Sequence, residues 1–374
     1  LSVAMYVNFL RAHGLSLFEM NLVNSTFFVT LFLCEIPTGA FADVYGRKAS
    51  YIIACILTTI GLAVYGCSQT MLGFISAEMI LAVGMTFESG AFNAWFIDRL
   101  AHHGHDANNR ILIFARRDQL TNVVTIIAGI IGGYLMAIDN QWPWLLGSAI
   151  AGSSVVVVLL IPEEYRAPRG ISFKRDLKLM LNCVRNGGYL MLSVHDLRFL
   201  LLSVMVHIAL MQALNMYWQP FFDPNLQYEH LMGYLFAGIA LSVMLGSILA
   251  PRLLKKWHAP EKIIIYSQVF TGVCIILCAL TSNIWLALIM FLAHEVGRGI
   301  RGPITSVYLH EHARSEERAT AESFGSIAHH LGGACGLIAS GAIANTLGIA
   351  PTWMICGIVL IISSLIILRY WIKK

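Results

Sequence analysis

The chain of 374 residues is 57% hydrophobic and 12% charged, with formal net charge +4 and mean hydropathy +0.70. A soluble domain carries about 25% charge, so this composition excludes a water-soluble globular protein and points to a bundle facing lipid. The small positive balance calls for no nucleic-acid partner, because the position of the charges explains it.

Apolar runs fall at 1–12, 19–42, 49–68, 71–98, 109–137, 142–161, 197–220, 230–251, 261–281, 284–309, 319–345 and 350–371. They predict an all-α integral membrane protein with twelve transmembrane helices. The first run is shorter than the roughly 20 residues a span needs, so the first helix is expected to be truncated. Eight cysteines show neither metal-ligand nor disulfide-framework spacing and read as small core residues.

Lys and Arg set the orientation. With the 39–48 loop in the cytoplasm, all of them except Arg11, Arg298 and Arg301 lie in or beside cytoplasmic segments. Both termini are then cytoplasmic, and the expected location is the inner membrane of a bacterial-type cell. Trp142, Trp144, Trp285 and Trp353 sit at outer span ends, Trp257 and Trp371 at inner ends, where amphipathic rings suit the headgroup level. The long connection 162–196 carries a basic amphipathic helix, with Phe173, Leu177 and Val184 on one face. It separates an N-terminal six-helix half, 1–161, from a C-terminal half, 197–374. Three pairs at one common offset, Gly39 with Gly246, Glu88 with Glu295 and Gly90 with Gly297, indicate a faint internal repeat.

Ionisable residues within spans face a cavity or a partner. Glu88 lies mid-span in the fourth run; Glu295, Arg298 and Arg301 lie in the tenth. Glu295 and Arg298 stand at i, i+3 and can pair, so Glu295 is either a proton carrier or half of a structural ion pair. Arg298 can contact an anion, and Arg301 can do the same or snorkel to the inner interface. His207, Met211, Asn215 and Trp218 form one stripe, and Glu88, Phe92 and Trp95 another. Together they suggest a mixed polar and aromatic substrate site.

The turn between the second and third runs reads Gly39-Ala-Phe-Ala-Asp43-Val44-Tyr-Gly46-Arg47-Lys48, preceded by Glu35-Ile-Pro37-Thr38. This pattern resembles the signature loop of the major facilitator superfamily of secondary transporters; Val44 departs from it, where the family carries a basic residue. Arg318-Ala319-Thr320 also resembles that family, and the Glu35–Gly39 stretch resembles its drug and metabolite efflux branch. The resemblance implies two pseudo-symmetric halves rocking about a midplane site lined by spans one, four, seven and ten. It implies a gating latch of Asp43, Gly46, Arg47 and Asp98, with Glu35 and Gly39 at the inner gate.

His102, His103 and His105 lie in a short loop with no second ligand cluster, and no metal is expected. The chain lacks His-Glu-x-x-His, Gly-x-Ser-x-Gly and phosphate-loop motifs. Neither an enzyme nor an ATP-driven pump is expected, and no cofactor. The function read from the chain is proton-coupled export of a small organic molecule by antiport, with protons, substrate and the lipid bilayer as partners and the chain acting as a monomer. The alternative is an anionic metabolite or siderophore held by Arg298; remoter ones are an intramembrane metalloenzyme and a non-transporting sensor.

Overall fold

The computed structural model describes residues 1–102, 107–162, 195–226, 229–312 and 318–372. The amphipathic connection, His103 and His105 therefore lie outside the described residues, as do the side chains of Gly90, Asp98 and Arg318–Thr320. Regular structure among the described residues is helical throughout. A 3-10 turn, Ser2–Met5, leads into α1 (Tyr6–Ala12), α2 (Leu17–Tyr45), α3 (Arg47–Cys67), α4 (Met71–His102), α5 (Ala107–Ile138) and α6 (Trp142–Leu160). Then come α7 (His195–Leu226), α8 (Glu229–Trp257), α9 (Pro260–Leu280), α10 (Ile284–His312), α11 (Arg318–Leu347) and α12 (Ile349–Ile372).

Ten of these helices contain a stretch long and apolar enough to cross a membrane. The short α1 is not among them, and neither is α10, whose apolar run is interrupted by Glu295, Arg298 and Arg301. Exposed side chains are largely apolar, with Leu72, Leu120, Ile138 and Leu160 more than half open. A bundle facing hydrocarbon presents such a surface, whereas a soluble protein would not.

The chain divides into two compact units. The first holds Leu1–Tyr6 and the described residues from Thr26 to Pro162; the second holds Val7–Ser25 and the described residues from His195 onward.

In the first unit α3 packs between α4 and α6. Ser50 Oγ donates to the Phe87 carbonyl at 3.0 Å, and Ser148 Oγ to that of Thr59 at 2.8 Å. These bonds matter in an apolar setting, where an unpaired hydroxyl is costly. The turn from α2 into α3 is made by Gly46 at φ 105°, a conformation that side-chain-bearing residues avoid. Trp144 stacks on Tyr65 with ring centroids 3.9 Å apart.

In the second unit α7 packs on α11 and α12, α8 on α10, and α9 on α10 and α12. Gly246 and Gly299 allow a close approach: a Cβ on either would strike the backbone of the facing helix, at Val296 and Val243. Gly332 and Gly336 serve the same end on α11, against Met205 and Ala209 of α7. Residues 7–25 join this unit through specific bonds. Gln219 Oε1 accepts from the Val7 and Asn8 backbone N–H groups, both at 3.0 Å. Asn21 Nδ2 donates to the Leu337 carbonyl at 2.7 Å and to Ser340 Oγ at 3.0 Å.

Tryptophan placement differs from the sequence expectation. Trp142, Trp257 and Trp285 are exposed, but Trp144, Trp353 and Trp371 are buried. Trp353 donates its indole N–H to the Ala213 carbonyl at 3.0 Å and stacks on Phe291, while Trp371 packs on Tyr308. Aromatic neighbours draw these rings inward, and a carbonyl serves the indole N–H of Trp353.

Candidate transport site

The second unit carries a polar network that joins α10 to α7. Glu295 of α10 is buried, and its Oε1 accepts from Arg298 Nη1 at 2.8 Å, the i, i+3 geometry of one helical face. The same guanidinium nitrogen donates to Asn215 Oδ1 of α7 at 3.1 Å. Asn215 Nδ2 in turn donates to Gln212 Oε1 at 3.3 Å. On the other side His294 Nε2 lies 3.4 Å from Glu295 Oε1, while its Nδ1 is bonded to the Phe291 carbonyl. Glu295 Oε2 has no hydrogen-bond partner among the described residues. The carboxylate thus holds its cation through one oxygen.

Arg301, one turn beyond Arg298, is buried at 6% exposure, and its Nε and Nη2 make no hydrogen bond among the described residues. It does not snorkel. His207 of α7 is also buried, with Nδ1 unpartnered. Met211 and Trp218, on the same stripe, are core residues; Trp218 stacks on Phe236 of α8 with centroids 6.4 Å apart. A cavity of about 400 Å3 opens between α7, α10 and α11; its lining includes Gly302, next to Arg301 in the chain, and Val204, three residues before His207. Leu200, Leu201, Val204 and Leu309 form its apolar wall; Thr305, Ser306, Ser326, His329 and His330 are polar.

In the first unit Glu88 is exposed, and the charge acting on it is Arg117 of α5. It lies near Tyr51 and Cys55 of α3. Phe92 and Trp95 both meet the Tyr51 ring, at 4.8 and 6.3 Å between centroids, and Arg117 sits over Phe92 at 5.8 Å. Glu88, Phe92 and Trp95 therefore gather on the α3 side of α4. Sequence inspection passed over Glu78, a buried carboxyl two turns into α4 to which Tyr6 and Tyr65 present their hydroxyls. The available signal was an ionisable residue inside an apolar run. Gln212, Gln219, Gln268 and His294, all buried, were missed for lack of charge.

At the turn, Lys48 Nζ donates to the Ile161 carbonyl at 2.6 Å and Arg99 Nη1 to that of Pro162 at 2.8 Å. Two cations thus hold the carbonyl end of α6, as the helix dipole favours. Asp43 is exposed; Glu35, Gly39 and Arg47 are partly buried. Pro37 interrupts α2, and Thr38 Oγ1 donates back to the Cys34 carbonyl at 2.8 Å.

Among the described residues no group of three His, Cys, Asp or Glu could hold a metal ion. Apolar helices with ionisable side chains buried in mid-bundle define an integral membrane protein with a polar interior site. The chain belongs to the Major Facilitator Superfamily, whose sequence model matches residues 1–266 and 200–374. That family is one of transporters, not of enzymes. It is 22% identical over 235 residues to YxaM, an MFS-type transporter of Bacillus subtilis (strain 168), a match covering 62% of this chain and 57% of YxaM. Over 164 residues it is 26% identical to the myo-inositol transporter FST1 of Gibberella moniliformis, covering 41% of this chain and 26% of FST1. The chain thus spans little more than half of one relative and about a quarter of the other. Among solved structures, the nucleoside transporter NupG shares its fold at TM-score 0.80 and 16% identity, over 99% of this chain and 93% of NupG. A POT family transporter in complex with 5-aminolevulinic acid does so at 0.78 and 14%, over 100% of this chain and 92% of that one.

Proposed function

We propose that this secondary transporter moves a small organic molecule by alternating access and couples the movement to protons through Glu295. The observation that carries the reading is the buried Glu295–Arg298–Asn215 network joining α10 to α7. Protonating Glu295 removes the charge that holds Arg298, so one proton changes the bonding between two helices. Glu88 is the second candidate carrier, and Glu35, Gly39, Asp43, Gly46, Arg47 and Asp98 would form the gating latch. Export by antiport is the direction implied by the Glu35–Gly39 resemblance, in an inner membrane with cytoplasmic termini and the chain acting as a monomer. A second reading, an anionic substrate, is supported by the unpaired guanidinium of Arg301.

The test is flux in proteoliposomes under an imposed pH gradient, with cationic, neutral and anionic compounds. Glu295→Gln is expected to keep binding and lose the response to the gradient. Gradient-driven flux that survives in both Glu295→Gln and Glu88→Gln would remove proton coupling through these residues.

A further inference from the structure

The polar network of the second unit leaves one cation out. Arg298 has Glu295 and Asn215; Arg301, equally part of α10, has neither. Its guanidinium is more than nine-tenths buried, and two of its three nitrogens donate to nothing. Thr305, one turn further along the same face, lines the cavity and also keeps its hydroxyl unpartnered. From α7 the buried His207 adds a fourth unsatisfied polar atom, Nδ1, and Arg301 is the charge acting on it most strongly, ahead of Arg298, His294 and His329. Glu295, the one carboxylate in this cluster among the described residues, is already engaged. A buried charge without a partner is among the costliest arrangements in a protein, so packing does not explain its presence. A negative charge brought in from outside does.

We propose that the cavity of the second unit takes a small organic monocarboxylate, its carboxylate held by Arg301 and its body by Leu200, Val204 and Leu309. Nε and Nη2 of one guanidinium form a fork that matches two carboxylate oxygens. Thr305 is placed to donate to the same head, with His207 as a further polar contact. One unpaired cation balances one negative charge, which favours a monoanion over a dianion. A volume of about 400 Å3 admits a molecule of small-aromatic or short-chain size. This assignment deepens the transport reading by naming the substrate class, but carboxylate binding itself does not depend on proton coupling.

Purified protein in detergent is melted with benzoate, 4-hydroxybenzoate, hexanoate, succinate or choline. At least one monocarboxylate is expected to raise the melting temperature in a concentration-dependent way, more than succinate does, and choline is expected to have no effect. Arg301→Met should weaken that binding at least ~30-fold, as loss of a buried charged partner does. Without ligand, the same variant should melt no lower than wild type, since it sheds an unpaired charge. A merely structural arginine would give the reverse. Should Arg301→Met fail to accumulate, Arg301→Lys and Thr305→Val serve instead, each expected to weaken binding about 5-fold or more. The assignment is overturned by no shift with any monocarboxylate, by a shift indifferent to Arg301, or by stabilisation with choline alone. Binding without flux would sink the transport reading and leave this one standing; choline flux indifferent to Arg301 would do the opposite.

Discussion

Substituting Glu295 and Arg298 singly and together measures what the buried pair contributes. With Nη1 and Oε1 2.8 Å apart, the charge centres are about 4 Å apart, and their attraction is about 4 kcal/mol at an effective dielectric near 20. Desolvation offsets much of it. The Glu295 side chain keeps only 4% exposure, whereas Arg298 keeps 25% and part of its hydration. A net coupling energy of about 1–3 kcal/mol follows. The two single variants are not equivalent. Arg298→Gln leaves a buried carboxylate with one oxygen already unpartnered, and should cost about 3–5 kcal/mol. Glu295→Gln keeps an acceptor for Arg298, which can still reach Asn215 and the surrounding space, and should cost less. The double variant should recover most of the loss. Denaturant unfolding in mixed micelles gives all four stabilities. Additivity within about 0.5 kcal/mol, or a costlier Glu295→Gln, would refute the reasoning.

Other consequences concern packing. Gly336→Leu would drive a side chain into the Ala209 backbone and should cost about 1–3 kcal/mol or more, read as a lower melting temperature. Trp353→Phe abandons the bond to the Ala213 carbonyl and should cost about 1–3 kcal/mol, while Trp142→Ala, at 51% exposure, should stay near 0.5 kcal/mol. Gln219→Leu strips the Val7 and Asn8 N–H groups of their acceptor and should cost about 1–3 kcal/mol; unchanged thermal stability would show that water replaces the side chain.

The helices were legible because hydrophobic runs have a period and a length, and both are local. Their ends were not: the run at 19–42 becomes Leu17–Tyr45 and that at 71–98 becomes Met71–His102. Charged residues at a membrane face stop the apolar pattern without stopping the helix. Glu295 with Arg298 was readable because i, i+3 is a distance along one helix. Asn215 as their third member was not, since it arrives from α7. For the same reason the environment of Arg301 was not legible: packing gives Arg298 a second partner from α7 and leaves Nε and Nη2 of Arg301 without a hydrogen bond among the described residues. Trp353 and Trp371 looked like interfacial rings because depth along a helix can be counted, but the direction a ring faces cannot. The faint correspondence of Glu88 with Glu295 hides different surroundings, one exposed beside Arg117 and the other buried against Arg298.

Direction of coupling and charge of substrate are not independent, and the spacing on α10 says how they are linked. Glu295 and Arg301 are six residues apart, about 9 Å along the helix. An anion at Arg301 and an ionised Glu295 would repel by about 2 kcal/mol at an effective dielectric near 20, which is roughly 20-fold in affinity. A bound monocarboxylate therefore favours the protonated form of Glu295, and proton and anion bind together. A cationic substrate would instead displace the proton, as antiport requires. On the carboxylate assignment, binding of the responsive monocarboxylate should tighten as pH falls, by up to about 20-fold. Glu295→Gln should fix the affinity at its tight, low-pH value. His294, His207 and His329 stand nearby and also gain charge on acidification, so the variant, not the pH curve by itself, isolates the carboxyl. Affinity that falls on acidification, or a curve unchanged in Glu295→Gln, would break the link between these two residues and leave antiport of a cation as the reading that fits.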